Sequence, residues 1–261
     1  MKNRIFMLLS LLLAFTFFYS CCGESKPQEE AGYAKKQIYE WRIYTLTGES
    51  AVPVLDNYFK NALIPAYNRC DVSVGAFTLY NPEEKEQRYL LFVYPDLPTY
   101  NKVRQTVWND QVYQDAARSF FEVTAPNPVY SDYETYLCEA FDKVPEMRIP
   151  DKNRTLFEFR IYHSPNEDAH HRKVTMFNAE EIDLFDKVGI NSVCYGKILS
   201  GPRMPALIYL TWYKDEPTRN EAWDAFRAHP EWERMRNKPE YRNTTINNFI
   251  RLVSPLPFSQ F

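Results

Sequence analysis

Apolar and polar side chains follow two distinct periods along the chain. Residues 37–46 and 155–163 alternate with a period of two, which is typical of β-strands, whereas residues 51–69 repeat with the spacing of an amphipathic helix. The same patterns predict further strands at 72–80, 88–94, 133–141, 191–199, 206–213 and 245–253, and further helices at 97–121, 170–188 and 216–238, the last broken at Pro230. The element order is therefore β-α-β-β-α-β, twice.

Two pairs of segments recur at nearly the same offset. Ile-Tyr-Glu-Trp-Arg-Ile-Tyr at 38–44 matches Leu-Phe-Glu-Phe-Arg-Ile-Tyr at 156–162, and Tyr-x-Asp-x-Pro-Thr occurs at both 94–99 and 213–218. Because the two landmarks agree in order and spacing, they predict a tandem duplication.

The predicted fold class is α+β, with two tandem ferredoxin-like modules at 37–141 and 154–255, a linker at 142–153 and a C-terminal tail at 256–261. Such a module is a four-stranded antiparallel sheet with both helices on one face. The uncovered faces carry large aromatic side chains, and packing one against the other buries both. We therefore expect a dimeric α+β barrel-type fold within one chain, closed or nearly closed.

The N-terminus carries a targeting signal. Lys2 and Arg4 precede an apolar stretch from Ile5 to Phe18, which is short for a membrane-spanning helix, and Cys21 follows. This pattern resembles a bacterial lipoprotein signal, so residues 1–20 are predicted to be a signal peptide, Cys21 to be lipidated and 21–36 to be a flexible tether. The expected location is the cell envelope, lipid-anchored to the membrane. Ordinary cleavage to a secreted or periplasmic protein, or an uncleaved anchor, are the alternatives.

Composition narrows the function classes. The chain has 19 Tyr and 18 Phe but only 7 Gly, and it lacks the glycine-rich loops of nucleotide-binding folds. A formal net charge of −3 without a basic stripe argues against nucleic acid as a partner. We expect no cofactor and no metal, because the four histidines have no ligand spacing, and His229 before Pro230 is interpreted as a helix cap.

The repeated strands carry the best candidate ligand-binding residues. On each strand a Glu, an Arg and a Tyr share one face while apolar side chains share the other. These residues are Glu40, Arg42, Tyr44, Glu158, Arg160 and Tyr162. If the apolar face lies under the helices, the charged face points into the barrel. Two interpretations remain: structural ion pairs, or a polar cavity in which an Arg holds an anionic group and a Glu acts as a base.

Several motifs resemble the NIPSNAP family. Its modules open on an aromatic-Glu-x-Arg-x-Tyr strand, and the second half here adds Met176-Phe177, Gly201-Pro-Arg-Met-Pro205, Ala222-Trp-Asp-Ala-Phe226 and His229-Pro-Glu-Trp232. The resemblance implies a dimeric α+β barrel, a fold shared with cofactor-free monooxygenases and haem-binding enzymes. It implies no particular activity. Arg203, in the turn of the second motif, is a further candidate for contact with a ligand or partner.

No set of residues has the spacing of a catalytic site, so the first hypothesis is a non-enzymatic envelope protein that binds a small apolar or anionic molecule or a protein partner. The alternatives are an enzyme resembling cofactor-independent monooxygenases and a structural homo-oligomer without a ligand. A barrel filled by Tyr and Phe would argue against a ligand, whereas a void of about 300 Å³ or more lined by the charged residues would favour one.

Overall fold

The computed structural model describes residues 35–81 and 85–261. The predicted signal peptide, the lipidation site at Cys21 and nearly all of the tether lie outside these residues. Within the described part of the chain, no helix has both the length and the hydrophobicity needed to cross a bilayer.

Eight antiparallel strands form one closed barrel. They are β1 (Ile38–Leu46), β2 (Ser73–Leu79), β3 (Gln87–Tyr94), β4 (Tyr130–Ala140), β5 (Leu156–His163), β6 (Asn191–Ser200), β7 (Ala206–Tyr213) and β8 (Asn247–Pro255). Their order around the barrel is β1-β3-β2-β8-β5-β7-β6-β4. Each half of the chain supplies four adjacent strands, and the halves join at β2–β8 and β4–β6. The expected α+β class and barrel closure are both confirmed.

The helices follow the predicted order. They are α1 (Ala51–Tyr58), α2 (Ile64–Asn68), α3 (Leu97–Trp108), α4 (Gln111–Phe121), α5 (Glu167–Met176), α6 (Ile182–Val188), α7 (Glu216–Ala228) and α8 (Pro230–Arg236), with a 3₁₀ turn at Pro239–Tyr241. A π-helical turn joins α1 to α2 at Phe59–Leu63, and another joins α5 to α6 at Phe177–Glu181.

The helix breaks were only partly predicted. The break at Pro230 is confirmed, and so is the cap at His229, whose Nδ1 accepts a hydrogen bond from the Glu231 amide at 3.2 Å. A single helix over 97–121 is wrong. It is divided because the Asp110 carboxylate accepts the backbone N–H of Val112 at 2.9 Å and so begins a second helix.

The barrel interior is filled by apolar and aromatic side chains, so the predicted orientation of the repeated strands is wrong. Trp41 of β1 lies 4.7 Å from Phe159 of β5, measured between ring centroids, and Phe77 lies 5.0 Å from Phe157. The charged face lies under the helices instead. The physical reason is that a closed barrel of this size has no solvent to hydrate charges, whereas helices supply polar partners.

The last residues of the chain complete the barrel wall at β2. Strand β2 pairs with β8 only over Phe77–Leu79. Beyond that point the chain continues along β2, where the Leu256 amide donates to the Ala76 carbonyl at 2.8 Å and the Gln260 amide donates to the Val74 carbonyl at 3.3 Å. The predicted tail is therefore part of the folded structure.

Phe261 is buried against Gly75 of β2. A Cβ atom at Gly75 would lie 2.4 Å from a ring carbon of Phe261, which is far inside van der Waals contact. A side chain at position 75 would therefore displace the Phe261 ring.

Candidate functional site

A cleft of about 800 Å³ opens on the helix-covered face of β1. Its floor is formed by β1 and β4, and its walls by side chains from α2, α3 and α4. The lining residues that matter for its chemistry are Glu40, Arg42, Tyr67, Tyr100, Arg104, Trp108 and Tyr133. The cleft therefore lies outside the barrel, beside one of the two charged strand faces.

Glu40 and Arg42 form a bidentate ion pair at the cleft floor. Arg42 Nε donates to Glu40 Oε1 at 2.8 Å and Nη2 donates to Oε2 at 3.1 Å. The Tyr94 hydroxyl donates to Oε2 at 2.7 Å, and Arg42 Nη2 also donates to the Tyr67 hydroxyl at 2.6 Å. The guanidinium lies 4.1 Å from the centroid of the Phe92 ring. Arg42 is thus held rigidly from one side while it faces the cleft on another.

The cleft has an excess of positive charge. Burial lowers the pKa of Arg42, but the Glu40 carboxylate and the Tyr67 hydroxyl raise it by more, so that the pKa lies well above its ordinary value and the guanidinium stays charged. A second cation, Arg104, lies at the wall and donates from Nη1 to the Tyr100 hydroxyl at 3.1 Å. Burial raises the pKa of Tyr100, which keeps this phenol neutral. Two guanidiniums therefore face one carboxylate.

The corresponding place in the second half is closed. Glu158 of β5 is fully buried and accepts hydrogen bonds from Arg160 Nη2 at 2.6 Å, Arg219 Nη2 at 2.5 Å and Trp223 Nε1 at 2.7 Å. The Trp223 ring also stacks over the Arg160 guanidinium at 3.8 Å. Glu158 has no exposed surface, and Arg160 is almost completely buried.

The charges at this closed cluster stabilise one another. Burial alone would raise the pKa of Glu158, but the hydrogen bond from Arg219 and the charges of Arg160 and Arg219 bring it below its ordinary value. The cluster is therefore a satisfied, ionised network. It matches the structural interpretation of the Glu-Arg strand, and the Glu40–Arg42 pair differs from it in bordering an open cleft.

Two helix positions account for the difference. Helices α3 and α7 each begin after an aspartate that accepts a hydrogen bond from the backbone of a threonine three residues later. Four and eight residues beyond that aspartate, α7 carries Arg219 and Trp223, which fill the site above Glu158. At the same two positions α3 carries Tyr100 and Arg104, and the cleft stays open.

The structure separates the predicted site residues into three places. Glu40 and Arg42 line the cleft, and Tyr44 is buried beside it, with its ring 4.7 Å from that of Tyr133. Glu158, Arg160 and Tyr162 belong to the closed cluster, where the Tyr162 hydroxyl accepts from Arg160 Nη1 at 2.8 Å. Arg203 lines a second cavity near the end of β5 and donates to the hydroxyl of Tyr136, a residue of the cleft lining.

Sequence reasoning missed the cleft walls. Tyr67, Tyr100, Arg104, Trp108 and Tyr133 were not candidates, because they lie on elements far apart in the chain. The offset between the two halves did indicate two of these residues, since it aligns Arg104 with Trp223 and Tyr100 with Arg219. Within 35–81 and 85–261, no group of three or more His, Cys, Asp or Glu side chains could hold a metal ion.

The second half of the chain matches a known protein family. Residues 157–260 match the NIPSNAP family model. This segment is a NIPSNAP domain. It contains the closed cluster around Glu158 and the turn with Arg203, whereas the open cleft is formed mainly by residues outside it. No curated protein sequence matches the chain significantly.

Solved structures share the fold at low sequence identity. A proposed monooxygenase from Lactobacillus acidophilus NCFM is 8% identical, with a TM-score of 0.56 over 85% of this chain and 94% of its own. An anthrone oxidase-like protein is 9% identical, with a TM-score of 0.53 over 85% and 92%. A NIPSNAP-like domain protein from Burkholderia xenovorans is 20% identical over 41% of this chain and 90% of its own, with a TM-score of 0.37. The first two similarities establish the fold alone.

Proposed function

We propose that this protein binds a small molecule in the cleft above Glu40 and Arg42. The observation that carries the proposal is the contrast between two similar strand faces. One is sealed by Arg219 and Trp223, and the other leaves about 800 Å³ open. That volume lies within the range of about 300–1,000 Å³ that is usual for small-molecule sites.

The lining favours a planar ligand with one negative charge. Arg42 and Arg104 outnumber Glu40, so an anionic group on the ligand would balance the cleft. Tyr67 and Trp108 supply aromatic surface for a flat apolar part. The sequence predicted an anionic or an apolar ligand, and the proposed ligand has both properties.

The direct test is an unbiased ligand search on the purified protein. Native mass spectrometry would detect a co-purified or added compound, and ultraviolet-visible absorbance would report haem or another chromophore. Trp108 is 62% exposed and lines the cleft, so its fluorescence should change on binding. The change should be reduced in Trp108→Phe if the ligand occupies this cleft.

Substitutions of the two cleft arginines test whether they bind the ligand. Arg42→Met and Arg104→Gln should each weaken binding of an anionic ligand about tenfold or more, since a charge-assisted hydrogen bond contributes roughly 1.5–3 kcal/mol. Arg227→Gln is the matched control, because this exposed arginine pairs with the nearby Asp224 and is not among the residues that line the cleft. A ligand whose affinity is unchanged in both cleft variants would contradict the proposal.

A cofactor-independent oxygenase is the second candidate. It is supported by a carboxylate that faces the cleft, together with a barrel fold shared with proteins named as monooxygenases. It ranks second because both Glu40 oxygens already accept hydrogen bonds, so accepting a substrate proton would require one of them to break. Oxygen consumption with the identified ligand, abolished in Glu40→Gln, would favour it over binding alone.

The remaining proposals concern location and organisation. We propose that lipidation at Cys21 attaches the protein to the bacterial envelope, which mass spectrometry of membrane fractions from wild type and Cys21→Ser would test.

We also propose that 37–141 and 154–255 are copies of one ferredoxin-like module. The π-helical turns support this, because they begin at Phe59 and Phe177, at the same offset as the repeated strand. Light scattering would identify a homo-oligomer.

A further inference from the structure

A second cavity, of about 520 Å³, lies where β5 ends and β8 begins. Its lining includes His163 at the end of β5, Arg203 in the turn before β7, and Phe249 and Arg251 on β8. None of these residues lines the cleft above Glu40. The cavity is therefore a separate feature with its own chemistry.

Two arginines converge on one phenylalanine at this cavity. The guanidinium carbon of Arg251 lies 4.2 Å from the centroid of the Phe249 ring, and that of Arg203 lies 4.8 Å from it. The two cations are thus at most about 9 Å apart, a distance comparable to the Debye length of ~8 Å at physiological ionic strength. Dissolved salt therefore screens the repulsion between Arg203 and Arg251 only in part.

The charge at this place is incompletely balanced. Arg203 has one carboxylate neighbour, Glu134, at 3.6 Å, and donates to the Tyr136 hydroxyl at 2.9 Å. Arg251 has no carboxylate within ion-pair distance in the described part of the chain, and its Nη1 donates only to the Ile250 carbonyl, at 2.8 Å. One guanidinium is therefore without a counter-ion.

We propose that this cavity binds an oxyanion, a carboxylate or phosphate group, between Arg203 and Arg251. Contact with Phe249 limits the positions of the two guanidiniums, and the N–H groups that do not donate to Tyr136 or Ile250 remain to bind the oxygens. The bound anion supplies the charge that Arg251 lacks and reduces the repulsion between the two arginines. A ligand at this site is distinct from the one in the cleft, so the two proposals can fail independently.

The test is a titration of the purified protein with inorganic phosphate and, separately, with acetate at constant ionic strength. The arginine Nε–H signals are followed by ¹H–¹⁵N NMR and assigned with Arg203→Gln and Arg251→Gln. We expect saturable shifts of both signals with at least one anion. Saturation by phosphate alone, acetate alone or both identifies a phosphate, carboxylate or general oxyanion site respectively.

Variants separate the site from general charge effects. Arg251→Gln should weaken binding on the order of tenfold, and Arg251→Lys, which keeps the charge but loses the planar fork, should weaken it less. Arg236→Gln removes the same charge from an exposed helix and should have no effect. The proposal is overturned if neither anion gives saturable shifts, or if the Arg203 signal responds equally in the Arg251→Gln protein when thermal unfolding shows that protein to be folded.

Discussion

Replacing Glu158 by Gln tests whether the closed cluster is a structural ion network. Glu158 is completely buried, and its charge offsets those of Arg160 and Arg219. The amide of Gln can still accept a hydrogen bond from Trp223 Nε1 but carries no charge. Arg160 would then remain buried beneath the Trp223 ring without its counter-ion.

The expected loss is about 3 kcal/mol in the free energy of unfolding. Removing one partner of a buried pair usually costs ~3–5 kcal/mol, and the lower end applies here because Arg219 is partly exposed and can be hydrated. The same substitution at Glu40 should cost less, about 1–1.5 kcal/mol, since Glu40 balances one guanidinium where Glu158 balances two, and the Tyr67 hydroxyl still accepts from Arg42. The two variants should therefore differ by roughly 2 kcal/mol.

The effect should also depend on pH. Because the folded-state pKa of Glu158 lies below its ordinary value, its stabilising contribution is complete above an unfolded-state pKa of about 4.3 and is lost as pH falls through the folded-state pKa. The difference between wild type and Glu158→Gln should therefore be largest near neutral pH and shrink towards about pH 3.

Urea unfolding followed by circular dichroism at both pH values measures these differences. A melting-temperature shift of about 6–12 °C should accompany the loss at neutral pH. The reasoning is refuted if Glu158→Gln and Glu40→Gln are equally destabilising, or if the loss for Glu158→Gln is independent of pH. Either result would mean that the sealed and open strand faces do not differ as their contacts indicate.

Two further predictions concern packing. Gly75→Ala should destabilise the protein by about 1–3 kcal/mol through overlap with the Phe261 ring, and a double-mutant cycle with Phe261→Ala should recover much of this loss. Trp223→Ala should lower the free energy of unfolding by about 3–5 kcal/mol and open a void beside Arg160. Added indole should fill this void and raise the melting temperature of the variant. Arg104→Ala, at the corresponding exposed position, should leave the free energy of unfolding nearly unchanged and should not respond to indole.

The order of elements could be predicted because it depends on local patterns. Period-two alternation located β1 and β5 within a residue or two, and the offset between them indicated a second copy of the same strand. Barrel closure followed from exposed aromatic faces that had to be buried. The break between α3 and α4 also has a local signal in the sequence, the capping residue Asp110.

The orientation of the strands could not be settled in this way. Both faces of β1 and β5 are buried, so alternation separates two faces without showing which one points inward. The charged face lies under the helices because Tyr67 in one half and Arg219 in the other supply polar partners there. Those partners are 25 and 61 residues away in sequence, and only the fold brings them close.

The pairing at β2 has a consequence for the order in which the protein folds. Strands β1, β3 and β4 can pair as soon as the first half of the chain has been synthesised. The free part of β2, however, is covered by residues such as Gln260, which lies 186 positions from its partner Val74. Contacts this distant in sequence form late. The edge of β2 therefore stays open until residues 256–261 have been synthesised. A cell that makes this protein must keep that intermediate from aggregating.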